Sequence, residues 1–283
     1  KPMTLHPMEG HQIVKAVRDN QRILQVGTQQ RTYPHFIEVK ERFVDSGLLG
    51  RVNMVRTLWN ANRAYRHYTP APCPAGMREV WCWPPGMEKK PDGLDWDLCR
   101  GVLPKIPWNP KHYFNHYVYW DYSCNMTVGG CFVHLVDVVH WYLNITRPAA
   151  AVALGGAYLG AGDRDTPDNI NVVLEYPEQV LVTFESTVTN LVGKEAVDCV
   201  FFGAGGRLSI FRSGYRFVPE SGPEVSGRGS PELHVRNWLD SIRSRRKPAC
   251  DEIAGHYSAM ACHIANLAYR ERRLVRWKEE WTV

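Results

Sequence analysis

The 283-residue chain contains no run of eighteen or more apolar residues, so no segment reads as a membrane-spanning helix. Its first residues lack the basic-then-apolar pattern of an export signal, and a cytoplasmic location is the expectation. No GxGxxG occurs. The nearest run, GAGGRL, has the wrong spacing and falls between two strand-like segments, where its glycines read as turn residues. The chain also holds no P-loop, GxSxG elbow or HExxH, leaving the common phosphate-loop, serine-hydrolase and zinc-protease classes without support. Its eight cysteines form no CxxC pair and show no zinc spacing, and they read as free thiols. Charge is sparse as well. The net +5 is modest, and the densest basic stretch, Arg243, Arg245, Arg246 and Lys247, follows an apolar helical pattern. Cations there complement a helix C-terminus, so no nucleic-acid or membrane partner is expected.

What is present is a globular composition, 44% hydrophobic and long enough to bury a substantial core. Apolar periodicity predicts a helix over His6–Asp19, a short buried strand in RILQVG, and a helix from Pro34 that stops at Gly47. This helix, strand, helix order is that of a piece of a βαβ array. Beyond Gly50 the pattern changes. RVNMVRTLWN reads as a strand, NVVLEYPEQVLVTFEST as a hairpin, and VDCVFFGAGGRLSIF as a second strand pair joined through glycines. Helices over Cys131–Leu143, Pro231–Ile242 with a Ser230 cap, and Gly255–Arg273 complete the pattern. The fold class is therefore α/β, with an α+β second part built on a large, mostly antiparallel sheet covered by helices on one face.

Two regions draw attention as chemistry. Residues Tyr65–Asn125 are irregular and hold Trp81, Trp83, Trp96, Trp108 and Trp120, whose rings either bind sugar faces or fasten the loop. In VGGCFVHLVDVVHWYLN, an otherwise apolar helix carries His134 and Asp137 three residues apart on one face. Burial makes both need partners. They form either a structural His–Asp hydrogen bond or a general acid/base with Asp137 orienting the imidazole. A third possibility is a metal site recruiting His112 or His116, a scattered set that is weak as a ligand pattern.

Taken together the segments resemble the Gfo/Idh/MocA family of NAD(P)-dependent oxidoreductases. KPMTLHPMEGHQIVKAVRDNQRILQVGTQQR is similar to the helix and strand that follow that family's Glu-Lys-Pro motif. HFIEVKERFVDSGLLGRVNMV resembles its linker helix, and DGLDWDL, WDYS, HLVDVVHW and GHYSAMACHIANLAYR resemble later segments of its sugar-active branch. The resemblance implies that residues 1–32 are the end of a Rossmann nucleotide-binding domain. Residues 33–283 would be the linker helix and the substrate-binding and oligomerisation domain. The GxGxxG unit would then lie upstream, in a longer polypeptide. It further implies Lys1, His134 and Asp137 as catalytic residues, Lys1, Pro2, Gln29, Arg31 and Trp96 around the cofactor, and Arg31, Asp121, Tyr122 and His134 around the substrate, with no metal. The expected cofactor is NAD or NADP. The expected substrate is a sugar, glycoside or cyclitol, and a homo-oligomer through the open sheet face is implied as well.

The chain departs from the family pattern where Gly130 stands four residues before His134, a position often held by Asp or Asn. After DWD, the usual W-x-G-P run is replaced by Cys99, Arg100 and Gly101. Two alternatives follow: NAD-assisted glycoside processing with no net redox change, or a cofactorless sugar-binding or scaffold subunit.

Overall fold

The computed structural model describes residues 1–62, 86–101, 103–158, 164–190, 197–229 and 234–283. The expectations for Trp81, Trp83, Cys73, Cys82 and the Ser230 cap lie outside these residues. The strands are β1 (Val52–Trp59), β2 (Ala61–Asn62), β3 (Ala150–Gly156), β4 (Asn169–Tyr176), β5 (Val180–Thr187), β6 (Thr189–Asn190), β7 (Val197–Gly203), β8 (Gly206–Phe211), β9 (Gly214–Pro219), β10 (Val225–Arg228) and β11 (Val275–Arg276). Nine of them form one sheet in the order β10-β9-β8-β7-β1-β5-β4-β3-β11, while β2 and β6 pair separately. Every neighbouring pair in the large sheet is antiparallel except β1 and β5, which run parallel.

Alternation explains the layering. In β4 the side chains of Ile170, Val172, Leu174 and Tyr176 point into the core, and in β5 those of Val180, Val182 and Phe184 do so. A period of two puts each set on one face. The opposite face stays open and carries Met54, Val152, Leu154 and Leu181 as exposed apolar residues.

The helices are α1 (Glu9–Asp19), α2 (Pro34–Val39), α3 (Trp96–Arg100), α4 (Pro110–Phe114), α5 (Val133–Leu143), α6 (His234–Ser244) and α7 (Glu252–Glu271). Helix α2 continues as a π-helical turn, Lys40–Asp45, and Gly47 follows in the left-handed region. A second π-helical turn, Asn125–Phe132, leads directly into α5. The resulting 19-residue stretch Asn125–Leu143 is long and apolar enough in composition to cross a membrane, yet 83% of it is buried within the fold. It is a core helix, packed against α7 and the covered face of the sheet.

Helix α7 is the centre of the N-terminal packing. Asp251 caps it by accepting from the N–H groups of Ile253 and Ala254 at 3.2 and 3.0 Å. Two close approaches seat the first residues against it. A Cβ on Gly255 would lie 2.4 Å from Val26, and one on Gly10 would lie 2.1 Å from the His256 ring. Glycine at these two positions is what lets α1 and the segment before residue 28 pack so closely.

That segment is not a strand, contrary to the expectation for RILQVG. It is extended, but its backbone meets the C-terminal region instead of a ladder: Val26 N–H donates to Cys250 O at 2.9 Å, and Val26 O lies 3.1 Å from His234 Nε2, while the Gln25 side-chain Nε2 donates to His234 O at 2.7 Å. No strand lies alongside it among the described residues, and a lone extended segment cannot form sheet hydrogen bonds. Helix α6 is exposed on most of its length, in keeping with a solvated basic end.

Candidate functional site

His134 lies in the first turn of α5 and is 2% exposed. Its Nδ1 is 3.1 Å from Oε1 of Gln30, which sits in the 3-10 turn Gln29–Thr32. An amide oxygen only accepts, so Nδ1 carries the proton and Nε2 keeps its lone pair. The ring stacks on Trp59 at the end of β1, with centroids 5.7 Å apart and planes 25° apart. Burial first, and then the positive charges of Lys1 and Arg212, hold its pKa well below the ordinary histidine value. At neutral pH the site therefore presents a neutral imidazole with one nitrogen free to take a proton, and Lys1 is near enough for its charge to be felt there.

Asp137 does something else. It is fully buried, and it binds Arg31 in a fork: Nε donates to Oδ2 at 2.8 Å and Nη2 to Oδ1 at 3.0 Å. Ser258 Oγ donates to Oδ1 at 2.8 Å, and the Cys250 thiol lies 3.9 Å away. Burial, then the Asp137 charge, pushes that thiol's pKa up. The expected pairing in which Asp137 orients His134 is absent. The carboxylate is occupied by Arg31, and the amide of Gln30 takes the orienting position. Arg31 also places its guanidinium 5.8 Å from the Trp141 ring.

The remaining expected site residues fall in different places. Gln29 offers its backbone carbonyl to Thr32 Oγ1 at 2.8 Å, while its neighbour Gln30 reaches His134. Pro2 is partly buried beside Lys1, which is exposed. Trp96 opens α3 after the Asp95 cap, donates Nε1–H to Ile106 O at 3.0 Å and meets Trp108 edge to face at 5.3 Å. Trp108 and Trp120 likewise donate to the carbonyls of Met87 and Asp165 at 2.8 and 2.9 Å, so these three tryptophans fasten the loop. Asp121 is exposed, and Tyr122 packs edge to face on His112 at 5.4 Å.

The scattered metal set is not assembled. His112 stacks on Tyr119 at 4.1 Å, and His116 Nδ1 sits 3.3 Å from Tyr113 O. Among the described residues no group of three or more metal-ligating side chains converges. Cys124, Cys199, Cys250 and Cys262 are free and buried, Cys131 is buried with them, and Cys99 is free and exposed.

Sequence reading did not name Gln30, Trp59 or Arg212. Arg212 lies in the turn between β8 and β9 with its guanidinium 4.9 Å above the Trp59 ring. An arginine in a tight turn ordinarily reads as a solvated charge, and only the sheet register brings it here.

Residues 105–209 match the family model described as the GFO/IDH/MocA C-terminal domain. Several solved structures share the fold. An aldose-aldose oxidoreductase from Caulobacter crescentus, complexed with glycerol, is 16% identical, with a TM-score of 0.68 over 98% of this chain and 70% of that one. An inositol dehydrogenase homolog from Azotobacter vinelandii, complexed with NADH and myo-inositol, is 13% identical, with a TM-score of 0.67 over 98% and 70% of the two chains. The WlbA dehydrogenase from Chromobacterium violaceum, in complex with NADH and UDP-GlcNAcA, is 18% identical, with a TM-score of 0.63 over 99% and 70%. No curated protein matches the chain. Residues 105–209 thus match a GFO/IDH/MocA C-terminal domain, and the chain shares its fold with solved oxidoreductases.

Proposed function

We propose that this protein belongs to an NAD(P)-dependent oxidoreductase acting on a sugar, glycoside or cyclitol hydroxyl carbon. The observation that carries the reading is the neutral His134 with a free Nε2, next to the Lys1 cation. Oxidising a carbinol removes a proton from oxygen and a hydride from carbon. The nicotinamide, when bound, supplies the hydride acceptor. His134 Nε2 accepts the hydroxyl proton, and Lys1 stabilises the charge that develops on the oxygen. The imidazolium so formed sits near Lys1 and Arg212, which favours passing its proton on to water. Arg31 is anchored on Asp137 through Nε and Nη2, and it is given no proton-transfer step.

Support also comes from relatives of the same fold that carry NADH with myo-inositol or with a nucleotide sugar. The test is the formation of reduced nicotinamide, followed by absorbance, across a panel of sugars, glycosides and cyclitols with NAD and NADP. His134→Gln and Lys1→Met are each expected to lower kcat about 10²- to 10⁴-fold. Full turnover in both variants would overturn the proposal.

The open face of the sheet is proposed as a contact between copies of the chain. Met54 and Leu181 are direct register partners and Val152 and Leu154 continue the face, all exposed. Leu154→Arg combined with Leu181→Asp is expected to halve the mass or more in light scattering. An unchanged mass would remove this face from the assembly.

A further inference from the structure

Arg212 is a cation whose charge is felt at His134 but to which the proposed chemistry gives no contact with the substrate. Its position follows from register. Thr57, Cys199 and Ile210 lie in one row across β1, β7 and β8. Two residues further along β1 and past the end of β8, with the same alternation, stand Trp59 and Arg212 on the helix-covered side. The result is that Arg212 and His134 both pack on the Trp59 indole, with 4.9 Å from Arg212 Cζ to the Trp59 centroid and 5.7 Å from Trp59 to the His134 centroid.

The charge of this arginine has no partner. Arg212 makes no hydrogen bond or ion pair among the described residues, and its Nε is buried without an acceptor. The contrast with Arg31 is direct, since Asp137 pairs with that guanidinium through Nε and Nη2. The indole holds the guanidinium by cation–π contact, which leaves its N–H groups for a ligand. A buried N–H with no acceptor costs free energy until one arrives. A planar fork suits a carboxylate or a phosphate, which it binds through two parallel hydrogen bonds.

We propose that Arg212 recognises a negatively charged group, a carboxylate or phosphate, on the substrate held at His134, so that the enzyme acts on acidic or phosphorylated sugars or cyclitols. This rests on the sugar-oxidoreductase reading above. Arg212 is then a specificity residue, with Trp59 holding it in place.

The test is calorimetric binding to the full protein of matched neutral and anionic compounds: glucose with glucuronate, galactose with galacturonate, and myo-inositol with its 1-phosphate. Inorganic phosphate and NADH are titrated separately. In at least one pair the anionic member is expected to bind about 10- to 100-fold more tightly than the neutral one. Arg212→Gln should abolish the preference and Arg212→Lys should restore part of it, with NADH affinity unchanged in both. The lysine variant also covers the case in which the glutamine variant does not fold.

A neutral sugar bound or turned over as well as its anionic partner in every pair overturns the inference and leaves the oxidoreductase reading standing. So does a preference that survives both substitutions. Inorganic phosphate binding as tightly as the sugars would mark a bare anion site and overturn it. An equal loss of NADH affinity in Arg212→Gln would assign the charge to the cofactor phosphates and also overturn it. Binding of no sugar, neutral or anionic, would remove both readings.

Discussion

Between pH 6.5 and pH 4.5 the protein is expected to lose several kcal/mol of stability, before most carboxylates begin to titrate. The cause is two histidines buried in the core. The His140 Nε2 lies 2.7 Å from the Tyr176 hydroxyl, and burial first, then the Arg31 charge, lowers its pKa to about 3. His263 lies between Thr4 Oγ1 at 2.8 Å and Cys124 Sγ at 3.3 Å, and burial first, then His6 and His256, lowers it to about 3 as well. Both are neutral in the folded protein and protonate near pH 6.5 once unfolded. The unfolded chain therefore binds more protons throughout this window. Stability is full above about pH 6.5 and falls as the pH drops toward 3, by about 1 kcal/mol per pH unit for each histidine. His134, His35, His112, His234 and His256 shift in the same direction, with burial as the main cause. Urea unfolding at pH 7, 5.5 and 4.5 measures the slope. His140→Gln keeps a partner for Tyr176 and cannot protonate, so its slope should be smaller by one proton. Equal stability at pH 6.5 and 4.5 would show that these rings are not held neutral.

Asp137→Ala is expected to cost about 3–5 kcal/mol, on the order of a 10 °C fall in Tm. The substitution leaves Arg31, whose side chain is 13% exposed, charged and without its carboxylate, and it strands Ser258 Oγ. The pair holds three distant parts of the chain together: the turn after Thr28, helix α5 and helix α7. Asp137→Asn keeps an acceptor for Ser258 and should cost less. Replacing both members, as Arg31→Met with Asp137→Leu, should recover much of the loss, because the dominant penalty in the single variant is an unpaired buried charge. Thermal unfolding of all three variants gives the comparison. A single-variant loss below about 1 kcal/mol would mean that water reaches the pair, as it does in surface ion pairs.

The parts of the fold legible in the sequence are those governed by local periodicity. Strands β1, β4, β5, β7 and β8 alternate or carry β-branched runs, and their turns are marked by Pro177 or by Ala204 and Gly205. Helices α1, α5 and α7 carry apolar stripes or near-continuous apolar faces. RILQVG has the composition of a strand, but strand formation is decided by a neighbour, and composition cannot supply one. The site was legible in part. His134 and Asp137 stand out because a polar pair on an apolar helix is costly. Their spacing does not tell whether they meet each other or separate partners. Gln30 escaped notice for a geometric reason: successive side chains in a 3-10 turn point about 120° apart. Gln29 and Gln30 are chemically identical but point in different directions. Arg212 reaches the indole beside the imidazole only through the register of β1, β7 and β8.

The seating of the N-terminal segment on α7 has a consequence for synthesis. Met3 and Val26 fit against Gly255, and Gly10 fits against His256, so the N-terminal segment is positioned by a helix translated more than two hundred residues after it. The nascent polypeptide can pair β4 with β5 and β7 with β8 as they emerge. It cannot seat the N-terminal segment in a fixed pose until α7 has left the ribosome, so the pose of Gln30 against His134 is settled after those strand pairs have formed.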